Sequence, residues 1–104
     1  MKKKSEELNE KIGNYIKKIR KEKGLSGSEL AKKLNFSQQQ LSRYENGKTK
    51  LTIETINEIL LALNKQWFNL FNEVIYEFDY EQMIHIINKE KNYQLLLSEI
   101  IKCK

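Results

Sequence analysis

Hydrophobic positions recur at three- and four-residue intervals over most of this chain, the spacing of helices that bury one face. Leu8, Ile12, Tyr15, Ile16 and Ile19 form the first stripe. Ser5 is placed to cap that helix, with Glu6 and Glu7 in its first turn, where the helix dipole favours carboxylates. Arg20, Lys21, Lys23 and Gly24 supply a C-terminal stop. A second helix opens at Ser26, with Glu29 at capping-box spacing, and turns Leu30, Ala31 and Leu34 inward. Asn35 predicts a sharp left-handed turn, a conformation asparagine tolerates better than most residues. Ser37 and Gln40 repeat the capping spacing for a third helix, in which Leu41 and Tyr44 face inward. That leaves Gln38, Gln39, Ser42 and Arg43 outward, and Gly47 closes the helix.

Thr52 is placed to cap a fourth helix, with Ile53, Ile56, Leu60 and Leu63 at core spacing and Ile59 and Leu61 broadening the stripe. Asn64 breaks it, and Trp67, Phe68, Leu70 and Phe71 predict a short hydrophobic helix that lids the bundle. Beyond Asn72 the pattern is ambiguous. Val74, Tyr76 and Phe78 alternate as a strand would, yet a helical turn fits equally well. Tyr80, Met83, Ile84 and Ile87 make a helical stripe, and Tyr93, Leu96, Leu97, Ile100 and Ile101 make another. The chain has no proline, so each break rests on glycine, asparagine or a cap.

Charge divides this helical chain into two halves. Residues 1–50 hold 14 Lys/Arg against 6 Asp/Glu, a net of +8, whereas residues 51–104 hold 5 against 8, a net of −3. A basic half attracts polyanions, and a mildly acidic, apolar half is better suited to protein. Cys103 is the sole cysteine, which rules out an intramolecular disulfide and favours a reduced, cytoplasmic setting. No run of apolar residues is long enough for a membrane span, so no membrane partner is expected.

Within the basic half, the glutamines at the start of the third helix carry the most specific chemistry. An amide side chain donates to and accepts from one adenine edge at once, so this helix suits the major groove of double-stranded DNA. The basic loop Lys48-Thr49-Lys50 follows it, where a phosphate clamp would lie. Lys17, Lys18, Lys32 and Lys33 read as solvated faces that add diffuse attraction. His85 has no second ligand at metal spacing, and a partly buried or interfacial role is expected. No nucleophile–base pair and no glycine-rich phosphate loop is present, so neither enzymatic activity nor a cofactor or metal is expected.

The segment IGNYIKKIRKEKGLSGSELAKKLNFSQQQLSRYENGKTK resembles the Cro/C1-type, or XRE-like, helix-turn-helix domain of phage repressors and bacterial regulators. The resemblance runs from about Ile12 to Phe71. It is carried by Leu25, Leu30-Ala31, Leu34, Leu41, the corner Tyr44-Glu45-Asn46-Gly47 and the series Leu63, Trp67, Leu70-Phe71. It implies that Gln38 and Gln39 read base edges and that Arg43 either binds a guanine or holds a phosphate; with the outward Ser42 these four residues are the expected base-reading surface. It also implies that Asn46, Lys48, Thr49 and Lys50 contact the DNA backbone, where Ser28 and Ser37 are expected to join them, and that Arg20 and Glu45 form a structural ion pair. Gly27 stands where several members place a phosphate-binding glutamine, and Leu51 falls near a position where proline is common. A weaker resemblance, through Ser-Gln-Gln-Gln and Ser-Arg-Tyr-Glu, is to short regulators encoded in enterobacterial fimbrial operons.

The expectation is an all-α protein: a five-helix Cro/C1 (lambda-repressor-like) DNA-binding domain over residues 1–72 and a C-terminal helical dimerisation extension over residues 73–104. Val74, Tyr76, Phe78, Tyr80, Met83, Ile87, Tyr93 and Leu97 are the expected homodimer contacts. The rival reading is an antitoxin or adaptor whose C-terminal half holds a partner protein.

Overall fold

The computed structural model describes residues 3–89, and every regular element among them is helical. The α-helices are α1 (Lys4–Glu22), α2 (Gly27–Leu34), α3 (Gln38–Glu45), α4 (Ile53–Ala62), α5 (Trp67–Leu70) and α6 (Tyr76–Lys89). A π-helical turn, Phe71–Ile75, joins α5 to α6.

Local chemistry sets most of these boundaries. The Ser26 hydroxyl accepts the Glu29 N–H at 3.1 Å while the Glu29 carboxylate accepts the Ser26 N–H at 3.0 Å, so α2 starts with a complete capping box. Ser37 Oγ accepts the Gln40 backbone N–H at 3.0 Å, and Thr52 Oγ1 accepts the Thr55 N–H at 3.1 Å. Asn35 (φ 57°) and Asn64 (φ 56°) take the left-handed conformation that ends α2 and α4. α1 departs from expectation: it begins at Lys4, after Lys3 in extended conformation, so Ser5 lies inside the first turn rather than capping it.

Ile12, Tyr15, Ile16 and Ile19 of α1 pack with Leu30 and Ala31 of α2, Leu41 of α3, and Ile56, Ile59, Leu60 and Leu63 from α4 and its C-terminal cap. Ile53 and Leu61, expected in this stripe, are exposed. Ile53 is the first residue of α4, and Leu61 points away from the face shared by Ile56, Ile59, Leu60 and Leu63. The expected lid is also narrower. Only Leu70 of α5 is fully buried, because a single turn presents one side chain to the core, and Phe68 and Phe71 face outward. The Trp67 indole N–H donates to Asn57 Oδ1 at 3.0 Å, pinning α5 to α4 by a polar contact.

The segment left open between strand and helix is helical. Leu70, Val74 and Phe78 recur every four residues and are all buried, a stripe a helix satisfies without a partner strand. Helical structure therefore passes through Asn72 without a break. Val74 and Phe78, expected at an interface between copies, are instead covered within the protomer, each 8% exposed. Tyr76, Tyr80 and Met83 are exposed, Ile87 falls on the last turns of α6, and Tyr93 and Leu97 lie outside the described residues. His85 is exposed rather than partly buried. Among the described residues no helix is long and apolar enough to cross a membrane.

Candidate nucleic-acid interface

α3 is held at its C-terminal end before it can present anything. There, Arg20 of α1 donates from Nε to Glu45 Oε2 at 2.7 Å and from Nη2 to Oε1 at 3.1 Å, while its Nη1 donates to the Leu25 carbonyl at 2.8 Å. One guanidinium thus ties α1, the entry to α2 and the last turn of α3 together. Both partners are buried, 9% and 5% exposed. The hydrogen bond to Glu45 holds the Arg20 pKa above its ordinary value against the opposing effect of burial, so the guanidinium stays charged.

Gly13 sets how closely α1 crosses α3. A β-carbon there would stand 2.4 Å from the Tyr44 carbonyl oxygen and 2.6 Å from that of Glu45, closer than backbone atoms permit. The sequence pattern does not single out this residue, because a glycine within a helical stripe reads as a weak position rather than a crossing point. Its signal is positional: it adjoins Ile12 and lies two residues before Tyr15 on the buried face.

The outward face of α3 carries Gln38, Gln39, Ser42 and Arg43, all exposed. Two of these are fixed by residues that follow in the chain. Asn46 Nδ2 donates to Ser42 Oγ at 3.2 Å, and Arg43 Nε donates to Thr49 Oγ1 at 3.0 Å. The loop that supplies Thr49 is itself anchored. Gly47 takes φ 69° and packs so close to Glu10 of α1 that a β-carbon would fall 2.5 Å from Glu10 Cγ. Leu51 N–H donates to Asn9 Oδ1 at 3.3 Å. A proline, common near this position in the resembling family, has no N–H to make this bond. Lys48 and Lys50 remain exposed on either side of Thr49.

Shallow grooves flank α3. One is lined by Lys17, Gly27, Gln38, Ser42 and Asn46, and the other by Ser28, Lys32, Ser37 and Gln38. Lys17 and Lys32 therefore adjoin the glutamine face, nearer to it than a general solvated surface. Only tertiary packing brings them there. Lys18 differs: it pairs with Glu73 of the π turn, and that contact raises its pKa. Ser28 is exposed with its hydroxyl 3.1 Å from that of Ser26, so the α2 start offers hydroxyls where Gly27 has no side chain. Among the described residues no group of His, Cys, Asp and Glu is arranged to hold a metal.

Comparison with known proteins places this geometry. Residues 16–68 match the family model of the helix-turn-helix domain HTH_3. The antitoxin PezA of Streptococcus pneumoniae serotype 4 (strain ATCC BAA-334 / TIGR4) is 33% identical over 92 residues, 88% of this chain, which spans about half (52%) of that protein's length. The ImmF control region 10 kDa protein of Bacillus phage phi105 is 41% identical over 54 residues, covering 52% of this chain and 60% of its own. Among solved structures, the restriction-modification controller protein C.Esp1396I, crystallised as a tetramer with its natural 35 base-pair operator, superposes with a TM-score of 0.62 at 34% identity. That match covers 68% of this chain and 93% of the controller. The clp gene regulator ClgR of C. glutamicum gives a TM-score of 0.63 at 26% identity, covering 67% of this chain and 91% of its own.

Proposed function

Because the chain belongs to the helix-turn-helix family of Cro/C1-type, XRE-like DNA-binding regulators, we propose that it regulates transcription as a homodimer reading operator half-sites. The observation that carries this reading is the outward face of α3. Gln38, Gln39, Ser42 and Arg43 are exposed together on a helix tied to α1 and the entry to α2 through the buried Arg20–Glu45 pair. Such a helix enters the major groove with its N-terminal side chains against base edges. Lys48, Thr49 and Lys50, with Ser28, Ser37 and Asn46, then hold the flanking phosphates and fix the register. The chain's net +8 over residues 1–50 gives the long-range attraction.

Two copies are required on physical grounds, since one recognition helix touches too few base pairs for genomic specificity. The contacts proposed between copies come from residues 73–104, beginning with the exposed Tyr76, Tyr80 and Met83 on α6. The test is base-resolved. Gln38→Ala and Gln39→Ala each cost roughly 1–3 kcal/mol on the preferred duplex and relax preference at particular base pairs. Lys48→Ala weakens all duplexes alike and reduces the salt slope. Equal loss by the glutamine variants on random DNA would remove the base-reading assignment.

The likeness to the pneumococcal antitoxin runs over 92 residues, well past the DNA-binding domain, and favours a second reading in which the C-terminal half holds a protein partner. Co-purification of a protein encoded beside the gene, lost on Tyr80→Asp substitution, would establish it. The relatives give no support to a fimbrial-operon role.

A further inference from the structure

We infer that Thr49 is a positioning residue that couples phosphate contact to base reading by fixing the guanidinium of Arg43; this rests on the reading of Arg43 as a base-facing residue. The Thr49 hydroxyl accepts the Arg43 Nε–H at 3.0 Å, across a turn that Gly47 and the Asn9–Leu51 hydrogen bond hold in place. Two consequences follow from donor counting. A guanidinium whose Nε–H is engaged keeps its two terminal amino groups free, so Arg43 meets a guanine O6/N7 edge end-on rather than side-on. A threonine hydroxyl that accepts one hydrogen bond still has its own O–H to donate, and the adjacent Lys48 and Lys50 mark that side as the phosphate side.

Thr49 thus serves two partners through one oxygen. A phosphate that accepts from its O–H polarises the hydroxyl and strengthens its acceptance from Arg43. Docking on the backbone and presentation of the guanine-reading fork become one event. An unheld arginine would also lose side-chain entropy on meeting a base, and a guanidinium already ordered in the free protein loses less.

The experiment uses the full chain and duplexes that it selects from a randomised pool. Arg43→Ala identifies the base pair that Arg43 reads. Thr49→Val, which keeps the shape and removes the hydroxyl, is expected to cut discrimination at that base pair roughly two- to tenfold, the range of one hydrogen bond. Thr49→Ser is expected to restore it, and Thr49→Val in the Arg43→Ala background to cost no further discrimination. In the DNA-free protein, the Arg43 Nε–H should be protected from solvent exchange by NMR in the wild type and Thr49→Ser, and lose that protection in Thr49→Val. If Thr49→Val weakens every duplex equally with base preference intact, or if the Arg43 Nε–H is unprotected in the wild type, the coupling is overturned and Arg43 keeps its reading role alone. If Arg43→Ala itself leaves every base preference unchanged, the base-reading assignment of Arg43 fails, and the coupling with it.

Discussion

At the residue scale, Arg20 and Glu45 decide whether α3 stays where it is. The guanidinium makes three hydrogen bonds, two of them to Glu45 with both groups buried. A buried pair contributes little beyond a hydrophobic replacement, but removal of one member strands the other charge. We expect Arg20→Ala or Glu45→Ala to cost about 3–5 kcal/mol in chemical denaturation, and the double substitution to cost less than the sum. Gly13→Ala acts by a different route, pushing α1 from the Tyr44 and Glu45 carbonyls, with a loss of about 1–3 kcal/mol or more. It should also lower DNA affinity, since α3 shifts with its carbonyls. Tyr15 poses the opposite case. Its hydroxyl is buried with no hydrogen-bond partner among the described residues, and burial followed by the nearby Glu73 carboxylate raises its pKa. Tyr15→Phe should therefore leave stability unchanged or raise it in thermal melts.

At the element scale, α2 depends on its capping box more than on its length. Eight residues are too few to nucleate alone, and Ser26 with Glu29 satisfies two of the backbone donors at its start. Ser26→Ala should cost about 1 kcal/mol. The hydrogen bonds from Ser26 hold the Glu29 pKa below its ordinary value. A depressed carboxylate contributes stability that is present above its unfolded-state pKa and lost as pH falls through the folded one. Acid titration of stability should therefore show a component below pH 4.5 that Glu29→Gln removes. α5 and α6 depend on tertiary contacts instead. Lys18–Glu73 and Lys11–Glu81 (3.4 Å) bridge α1 to the π turn and α6, but both are exposed and add little. The buried Leu70, Val74 and Phe78 do more.

At the scale of the whole molecule, those buried residues decide what a truncation does. Ending the chain after Asn72 removes Val74 and Phe78 from the core, so the fragment should lose several kcal/mol of stability as well as any C-terminal assembly. A cleaner separation is Tyr80→Asp with Met83→Asp, which alters only the exposed face of α6. Under the proposed homodimer, sedimentation should show a monomer whose melting temperature, extrapolated to low protein concentration, matches the wild type, and operator affinity should fall. Retention of the dimer would move the interface elsewhere.

The all-helical fold and most of the candidate site were legible in the residues because their determinants are local or periodic. Three-four spacing specifies α1, and capping residues with the asparagine turns specify α2 to α4, without long-range information; the outward set on α3 follows from the inward positions Leu41 and Tyr44. The ion pair came from the family resemblance, since Arg20 and Glu45 are 25 residues apart and nothing in their local spacing joins them. Tertiary structure alone decided the rest. Exposure of Ile53, Leu61, Phe68 and Phe71 depends on where the core ends, which periodicity does not encode. The close approach at Gly13, the placement of Lys17 and Lys32 beside the glutamines, and the engagement of Leu51 N–H by Asn9 each require a partner from another element. The segment after Asn72 is helical with Leu70 and Val74 in the core cluster and Phe78 buried one turn on, and a short alternating pattern cannot distinguish that burial from a sheet's.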